Sequence, residues 1–137
     1  MSLFNIFGVA GSAMTAQSVR LSTISSNLAN AEVASGNPDD AYRARYPVFS
    51  STMESLMDEH ALPGVRVDQI VESTEAPRRE YAPEHRLADA EGYIYYGNIN
   101  SVEEMANMIS ASRSYQSNVK AMETAKHLIM QTLNLGR

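Results

Sequence analysis

The chain has 137 residues, enough for one ordinary domain, and a formal net charge of −5. An acidic chain offers no concentrated basic face, so neither nucleic acid nor anionic membrane is expected as its main partner. The sequence contains no cysteine, which excludes thiol catalysis, disulfides and cysteine metal sites and leaves the redox compartment open.

No apolar run approaches the ~20 residues of a membrane span. The N-terminus has no basic n-region and no continuous apolar core, so a cleaved signal peptide is not expected. Residues 1–30 carry a heptad pattern instead. Leu3, Phe7, Ala10, Met14, Gln17, Leu21, Ile24 and Leu28 step by 4, 3, 4, 3, 4, 3 and 4, and seven of these eight are apolar. A repeat of about 3.5 residues is the seam of a coiled coil or a tightly packed helix pair. Arg20 is the only charged side chain before Glu32, and the outer faces carry Ser12, Thr15, Ser18, Ser22, Thr23, Ser25 and Ser26. A solvated helix carries charges there, so small neutral residues point to a helix covered by other protein on several sides. Gly8 and Gly11 each weaken it in isolation by roughly 1 kcal/mol relative to Ala. The plainer alternative is the frayed helix of an ordinary two-helix hairpin.

Residues 31–40 break the pattern. Ser35-Gly36-Asn37-Pro38-Asp39-Asp40 is a dense turn cluster, and Pro38 biases Asn37 away from helix. Tyr42-Arg43-Ala44-Arg45-Tyr46 then alternates into Pro47-Val48-Phe49, which reads as an extended arm or edge strand. Tyr and Arg are common anchors of protein interfaces, so the arm is read as an interface element. Residues 50–62 fit either a short helix, with Met53, Leu56 and Met57 on one side, or a mobile loop. Val65 to Val71 has strand character after the Pro63-Gly64 turn. Arg78 to Ala82 and Tyr93 to Tyr96 add two more strands, making a β-rich insert of three or four.

Residues 101–135 read as one long helix. Met108, Ser112, Tyr115, Val119, Met122, Lys126, Ile129 and Leu133 form a stripe interrupted by Ser112 and Lys126. Asn100 or Ser101 suits the N-cap, Glu103 or Glu104 the capping box and the positive end of the dipole, and Gly136 the C-terminal stop. At ~1.5 Å per residue the helix is roughly 50 Å long, so it needs a partner along most of its length. Lys120, Glu123 and Lys126 read as surface pairs worth a few tenths of a kcal/mol.

The expected fold is therefore mainly α with a small β-rich insert, its long N- and C-terminal helices paired in coiled-coil-like packing. The expected division is residues 1–31 and 101–137 as an assembly core, with 32–100 as the arm and insert. No enzyme constellation stands out, and among His60, His85 and His127 no pair has metal-helix spacing. Glu84, His85, Asp89 and Glu91 form the richest polar stretch. A turn held by side-chain hydrogen bonds accounts for it better than a metal or acid–base site. No catalytic, cofactor or metal residues are assigned.

Several stretches resemble the flagellar axial proteins of rod and hook, those of the proximal rod most closely. They are Met1 to Phe7, Ala10-Gly-Ser-Ala-Met14, Ala16 to Leu21, the Ser26-Asn-Leu-Ala-Asn30 signature, Tyr42 to Phe49, Ala88-Asp-x-x-Gly-Tyr93 and Asn98 to Asn118. Many axial proteins follow the signature with a Thr-Pro-Gly-Tyr type turn, whereas this chain has Ala31 to Pro38 before Tyr42. The resemblance implies a structural subunit of the proximal rod, with terminal helices paired in an inner layer and the β-containing part outside. It also implies export through the flagellar type III apparatus to the periplasmic basal body. The implied partners are other copies, other rod proteins, and MS-ring and export-gate components at the rod base.

On this reading Leu3, Phe7, Met14, Leu21, Ile24 and Leu28 pack against Met105, Met108, Tyr115, Val119, Met122, Ile129 and Leu133. Tyr42, Arg43 and Tyr46 complete the expected interface. The eight methionines suit repacking against non-identical neighbours, or are plain core filler. A soluble helical adaptor or secretion chaperone is the alternative function.

Overall fold

The computed structural model describes residues 3–51 and 64–135. The chain runs α1 (Leu3–Asn30), β1 (Ala34–Ser35), β2 (Arg45–Ser51), β3 (Val65–Glu72), β4 (Arg78–Tyr81), β5 (Tyr93–Tyr96) and α2 (Ser101–Leu135). Two long helices at the ends of the sequence enclose a small β-rich middle, as the periodicity predicts. Of residues 50–62, read as a short helix or a mobile loop, Ser50 and Ser51 are instead the end of β2, and the rest, with the Gly136 stop and the side chain of Leu3, lies outside the described residues.

Both helices end where local chemistry stops them. At the C-terminal end of α1, Asn30 Nδ2 donates to the Ser26 carbonyl at 2.8 Å, and the amides of Ala31 and Val33 close turns onto Leu28 and Asn30. These bonds satisfy carbonyls that the helix end leaves open. At the start of α2, Asn100 is the cap. Its Oδ1 accepts from the amides of Val102 at 3.1 Å and Glu103 at 3.3 Å.

The sequence stripe on α2 is drawn differently in the fold. Glu104, Ala111 and Ala125 are buried, with Met108, Tyr115, Met122 and Ile129 half-buried between them. Ala111 and Ala125 thus take the buried places, one residue before Ser112 and Lys126. Lys126 is exposed while Ser112 stays half-buried beside Ala111, and a small side chain at those turns allows close approach.

The strands form two sheets: β1-β5-β4, antiparallel throughout, and the pair β2-β3. β4 pairs Arg78↔Tyr96 through Tyr81↔Tyr93. β1 pairs Ala34↔Tyr96 and Ser35↔Tyr95, within a stretch where the sequence shows only a turn. Two residues carry no readable period, so only pairing reveals such a strand. The arm is extended as expected, but its ladder begins at Arg45 rather than Tyr42.

Contacts divide the chain into two compact units, Met1–Leu21 with Pro47–Gln69 and Ser110–Arg137, and Ser22–Tyr46 with Ile70–Ile109. The first buries only alanines among its described apolar residues: Ala10, Ala16, Ala111 and Ala125. The second buries Ile24, Ala31, Ala41, Ala44 and Ile94 around three polar side chains, Thr23, Asn27 and Glu104.

Candidate functional site

The most constrained side chain is Asn27, within the Ser26–Asn30 signature and 0% exposed. Its Nδ2 donates to the Arg45 carbonyl and to Glu104 Oε2, each at 3.0 Å. Its Oδ1 accepts from the Arg45 amide at 2.9 Å and from the Tyr42 hydroxyl at 3.0 Å. Two donors and two acceptor positions are the full capacity of a primary amide, and all are used. With the Tyr42 proton spent on Asn27, Ser26 Oγ is the donor in its 3.1 Å contact with the Tyr42 hydroxyl. One helical side chain therefore ties the end of α1 to the arm at residues 42–45 and to the first turn of α2.

The junction continues outward. Ser73 N donates to the Ala44 carbonyl at 2.7 Å, and the Arg45 guanidinium reaches Glu72 at 3.0 Å. That ion pair is about half exposed and contributes about 0–1 kcal/mol. Gly97 has no room for a side chain, because an added Cβ would lie 2.7 Å from the Tyr42 carbonyl. Tyr46 sits over the same region. Burial, then the carboxylates of Glu104, Glu103 and Glu75, raise its phenol above the ordinary tyrosine value.

The polar stretch 81–93 is a turn organised by Asp89. Asp89 Oδ1 accepts from the amides of Glu91 at 2.9 Å and Tyr93 at 2.8 Å, and Oδ2 from the Tyr95 hydroxyl at 2.9 Å. Gly92 takes φ +84°, a conformation that favours glycine, and an added Cβ would lie 2.9 Å from the Tyr81 ring. His85 Nδ1 accepts from the Leu87 amide at 3.2 Å. Among the described residues no group of three or more His, Cys, Asp or Glu is placed to hold a metal ion.

The Tyr93 amide, with the Tyr95 hydroxyl and the Glu91 amide, holds the Asp89 carboxyl below the ordinary carboxylate range. A depressed folded pKa stabilises the turn above the unfolded value of about 4, and that contribution is lost as pH falls through the folded value. Amide exchange at Tyr93, compared in wild type and Asp89→Asn, is therefore expected to differ at neutral pH, with the difference shrinking as pH falls below the ordinary carboxylate range. Exchange at Tyr93 that is the same in both proteins at neutral pH contradicts this role for Asp89.

The residues singled out in the sequence fall into three groups. Ile24 is buried, and Phe7, Met14, Leu21, Leu28, Tyr42, Met108, Tyr115, Val119, Met122 and Ile129 are half-buried. Arg43, Tyr46, Met105 and Leu133 are exposed, Met105 by 49% and Leu133 by 64%. The side chain of Leu3 is outside the described set. Reading for apolar periodicity missed Asn27 and Glu104, because neither is apolar. The available signal was an amide on the inner side of a helix with a single charge, where an Asn that does not cap needs partners.

The comparisons with known proteins agree with one another. Residues 7–34 match the family described as "Flagella basal body rod protein", and residues 90–135 the "Flagellar basal body rod FlgEFG protein C-terminal" family. These two matches contain most of α1 and all of α2, and define a flagellar basal-body rod protein. The flagellar basal-body rod protein FlgC of Escherichia coli O6:H1 is 44% identical over 137 residues, covering all of both chains. FlgC of Salmonella typhimurium strain LT2 is 43% identical over the full length of both. FlgC of Buchnera aphidicola subsp. Schizaphis graminum is 42% identical with 99% of each chain covered. The chain belongs to the FlgC family and is a structural rod subunit of the flagellar basal body.

Proposed function

We propose that this chain polymerises through α1 and α2, paired in coiled-coil-like packing, into the proximal rod. There it forms part of the helical shaft that transmits torque and encloses the export channel. On this reading residues 1–31 and 101–137 are the assembly core, and 32–100 is an outer arm and insert. The same reading puts the subunit in the periplasmic span, delivered by the flagellar export apparatus. Its neighbours are other copies, other rod proteins, and MS-ring and export-gate components.

One observation carries the reading. Among the described residues the buried apolar set is seven alanines and two isoleucines, while eighteen large hydrophobic side chains are exposed. Burying a large aliphatic or aromatic side chain is worth about 1.5–3 kcal/mol, and an alanine contributes much less. A chain that buries its small residues and exposes its large ones gains its remaining stability from neighbours. No described helix is long and apolar enough to cross a membrane, so lipid spanning does not account for them.

The monomer is accordingly expected to be weakly ordered, with helix forming as subunits assemble. The unit of Met1–Leu21, Pro47–Gln69 and Ser110–Arg137, whose buried apolar residues among those described are alanines, is the part expected to gain it. Circular dichroism of the purified chain at low and high concentration, and with another rod protein, tests this. Helix content is expected to rise in the last two conditions. A cooperatively folded monomer with the same helix content throughout contradicts it.

A further inference from the structure

β4 is the edge of the three-stranded sheet, and the ladder fixes which of its backbone groups face outward. The Ala82 amide donates to the Gly92 carbonyl at 2.9 Å, in register with Arg78↔Tyr96 through Tyr81↔Tyr93. Tyr93 spends both its backbone groups on Asp89. Its amide donates to Oδ1 at 2.8 Å, and its carbonyl accepts from the Asp89 amide at 2.9 Å. Bonded and non-bonded pairs alternate along an antiparallel ladder, so Glu80 bonds toward β5 while Arg79 and Tyr81 face away. The amides and carbonyls of Arg79 and Tyr81 therefore point to the open side, without a partner among the described residues. Sheets close such edges with a proline, a bulge or a covering segment. β4 has no proline, its register is continuous, and it is exposed at all four residues. Its arginines do not guard the edge. Arg78 turns to Glu32 at 3.5 Å and to the Tyr96 ring, and the Arg79 guanidinium lies 5.2 Å over the Tyr93 ring.

We infer that β4 is a docking edge for an extended acidic segment of a different protein, which joins the sheet as a fourth strand. Three features name this occupant. Free donors and acceptors on alternate residues of an edge strand are met by another extended backbone. Arg79 has no ion pair among the described residues, although acidic side chains outnumber basic ones in its unit. A carboxylate on the added strand supplies the cross-strand partner that the chain does not. Tyr81, on the same face as Arg79, is 64% exposed and held edge-on against Tyr93 at 5.3 Å, a surface for an apolar side chain beside that carboxylate. The same strand of a second copy does not fit. It brings Arg79 and Tyr81 to this face and no carboxylate, because Glu80 alternates to the other. β3 does not fit either, because Asp68 and Glu72 already pair with Arg66 and Arg45. The docking edge lies in the insert and does not depend on reading α1 and α2 as the assembly core.

The test uses the full-length chain and the capped synthetic peptide Thr-Leu-Thr-Glu-Thr-Leu-Thr. Its side-chain order is the same in both directions, so parallel and antiparallel pairing present one face of Leu, Glu and Leu. In the free chain the Glu80 amide is expected to exchange slowly, and the Arg79 and Tyr81 amides fast. Excess peptide is expected to slow those two by about ten-fold and to leave Glu80 unchanged. Replacing the peptide's Glu with Lys is expected to weaken binding about five-fold, and Arg79→Glu to reverse that preference. In rod-building cells, p-benzoylphenylalanine in place of Tyr81 is expected to cross-link to a different protein beside an Asp or Glu. Arg79→Glu is expected to abolish that product. Arg79 and Tyr81 amides as slow as Glu80 in the free chain, or no slowing with the peptide, overturn the inference. So do equal binding of the Glu and Lys peptides and a cross-link to a second copy of this chain.

Discussion

Replacing Asn27 with leucine is expected to destabilise the unit of Ser22–Tyr46 and Ile70–Ile109 by about 3–5 kcal/mol. The substitution strands four partners at once: the Arg45 amide and carbonyl, the Tyr42 hydroxyl and Glu104 Oε2. Each buried group left unsatisfied costs about 1–3 kcal/mol, and more if it is charged. Glu104 is 3% exposed and sits in the first turn of α2, so it cannot swing into water without disturbing that turn. Six of the chain's seven tyrosines (Tyr42, Tyr46, Tyr81, Tyr93, Tyr95 and Tyr96) belong to this unit, and there is no tryptophan. Near-ultraviolet circular dichroism therefore reports on it almost alone. Its melting midpoint is expected to fall by about 10–20 °C, at about 3–4 °C per kcal/mol for a chain of this length. Pairing Asn27→Leu with Glu104→Met removes the stranded carboxylate and is expected to recover part of the loss, a coupling of about 1–2 kcal/mol. Additive losses, or an Asn27→Leu melt within 2 °C of wild type, contradict the hydrogen-bond account.

Leu21→Asp is expected to abolish rod incorporation while leaving expression intact. Leu21 is a half-buried seam position in a helix whose single charge is Arg20. A carboxylate there is easily hydrated in a loosely ordered monomer, but it must be buried or repelled once the helix is covered. Forcing a polar group out of water without a partner costs about 1–3 kcal/mol in proteins, and a carboxylate costs more. That is at least roughly a 5- to 150-fold loss for each subunit contact that includes it. In a polymer the defect recurs at every copy. The expected result is a soluble variant, present at wild-type levels and absent from isolated basal bodies, in non-motile cells. Normal rods containing the variant contradict the paired-helix model.

The parts of the fold with a period were legible in the sequence. The long helix is Ser101–Leu135 as the stripe indicates, and the heptads of residues 3–28 coincide with Leu3–Asn30. The register of the buried face was less legible. Ala111 and Ser112 are both small, and only packing shows that the alanine is turned inward. β1 was invisible because two residues have no alternation. The Asn27 junction was half visible: Ser26–Asn30 stood out as a signature, yet nothing in a local pattern joins it to residues 77 positions away. Glu104 looked like a capping residue and proved to be a buried acceptor, while Asn100 capped the helix without it. Long-range polar partners have no spacing rule, so they emerge only when the chain is folded.

The distribution of large and small side chains links these observations to assembly. Asn27 supplies a specific polar lock where the chain organises itself. Among the described residues of the other unit the buried apolar side chains are alanines, and Leu128, Met130, Leu133 and Leu135 are exposed. The proposed assembly assigns order within the subunit and order between subunits to different residues.

The most direct measurement is electron cryo-microscopy of basal bodies from cells in which this chain is the only FlgC-family protein. The expected map shows α1 and α2 side by side in the inner layer of the proximal rod. It also shows the three-stranded sheet of β1, β5 and β4 outside that layer. A map that places the chain outside the rod, or in the rod with its terminal helices apart and facing outward, contradicts the account.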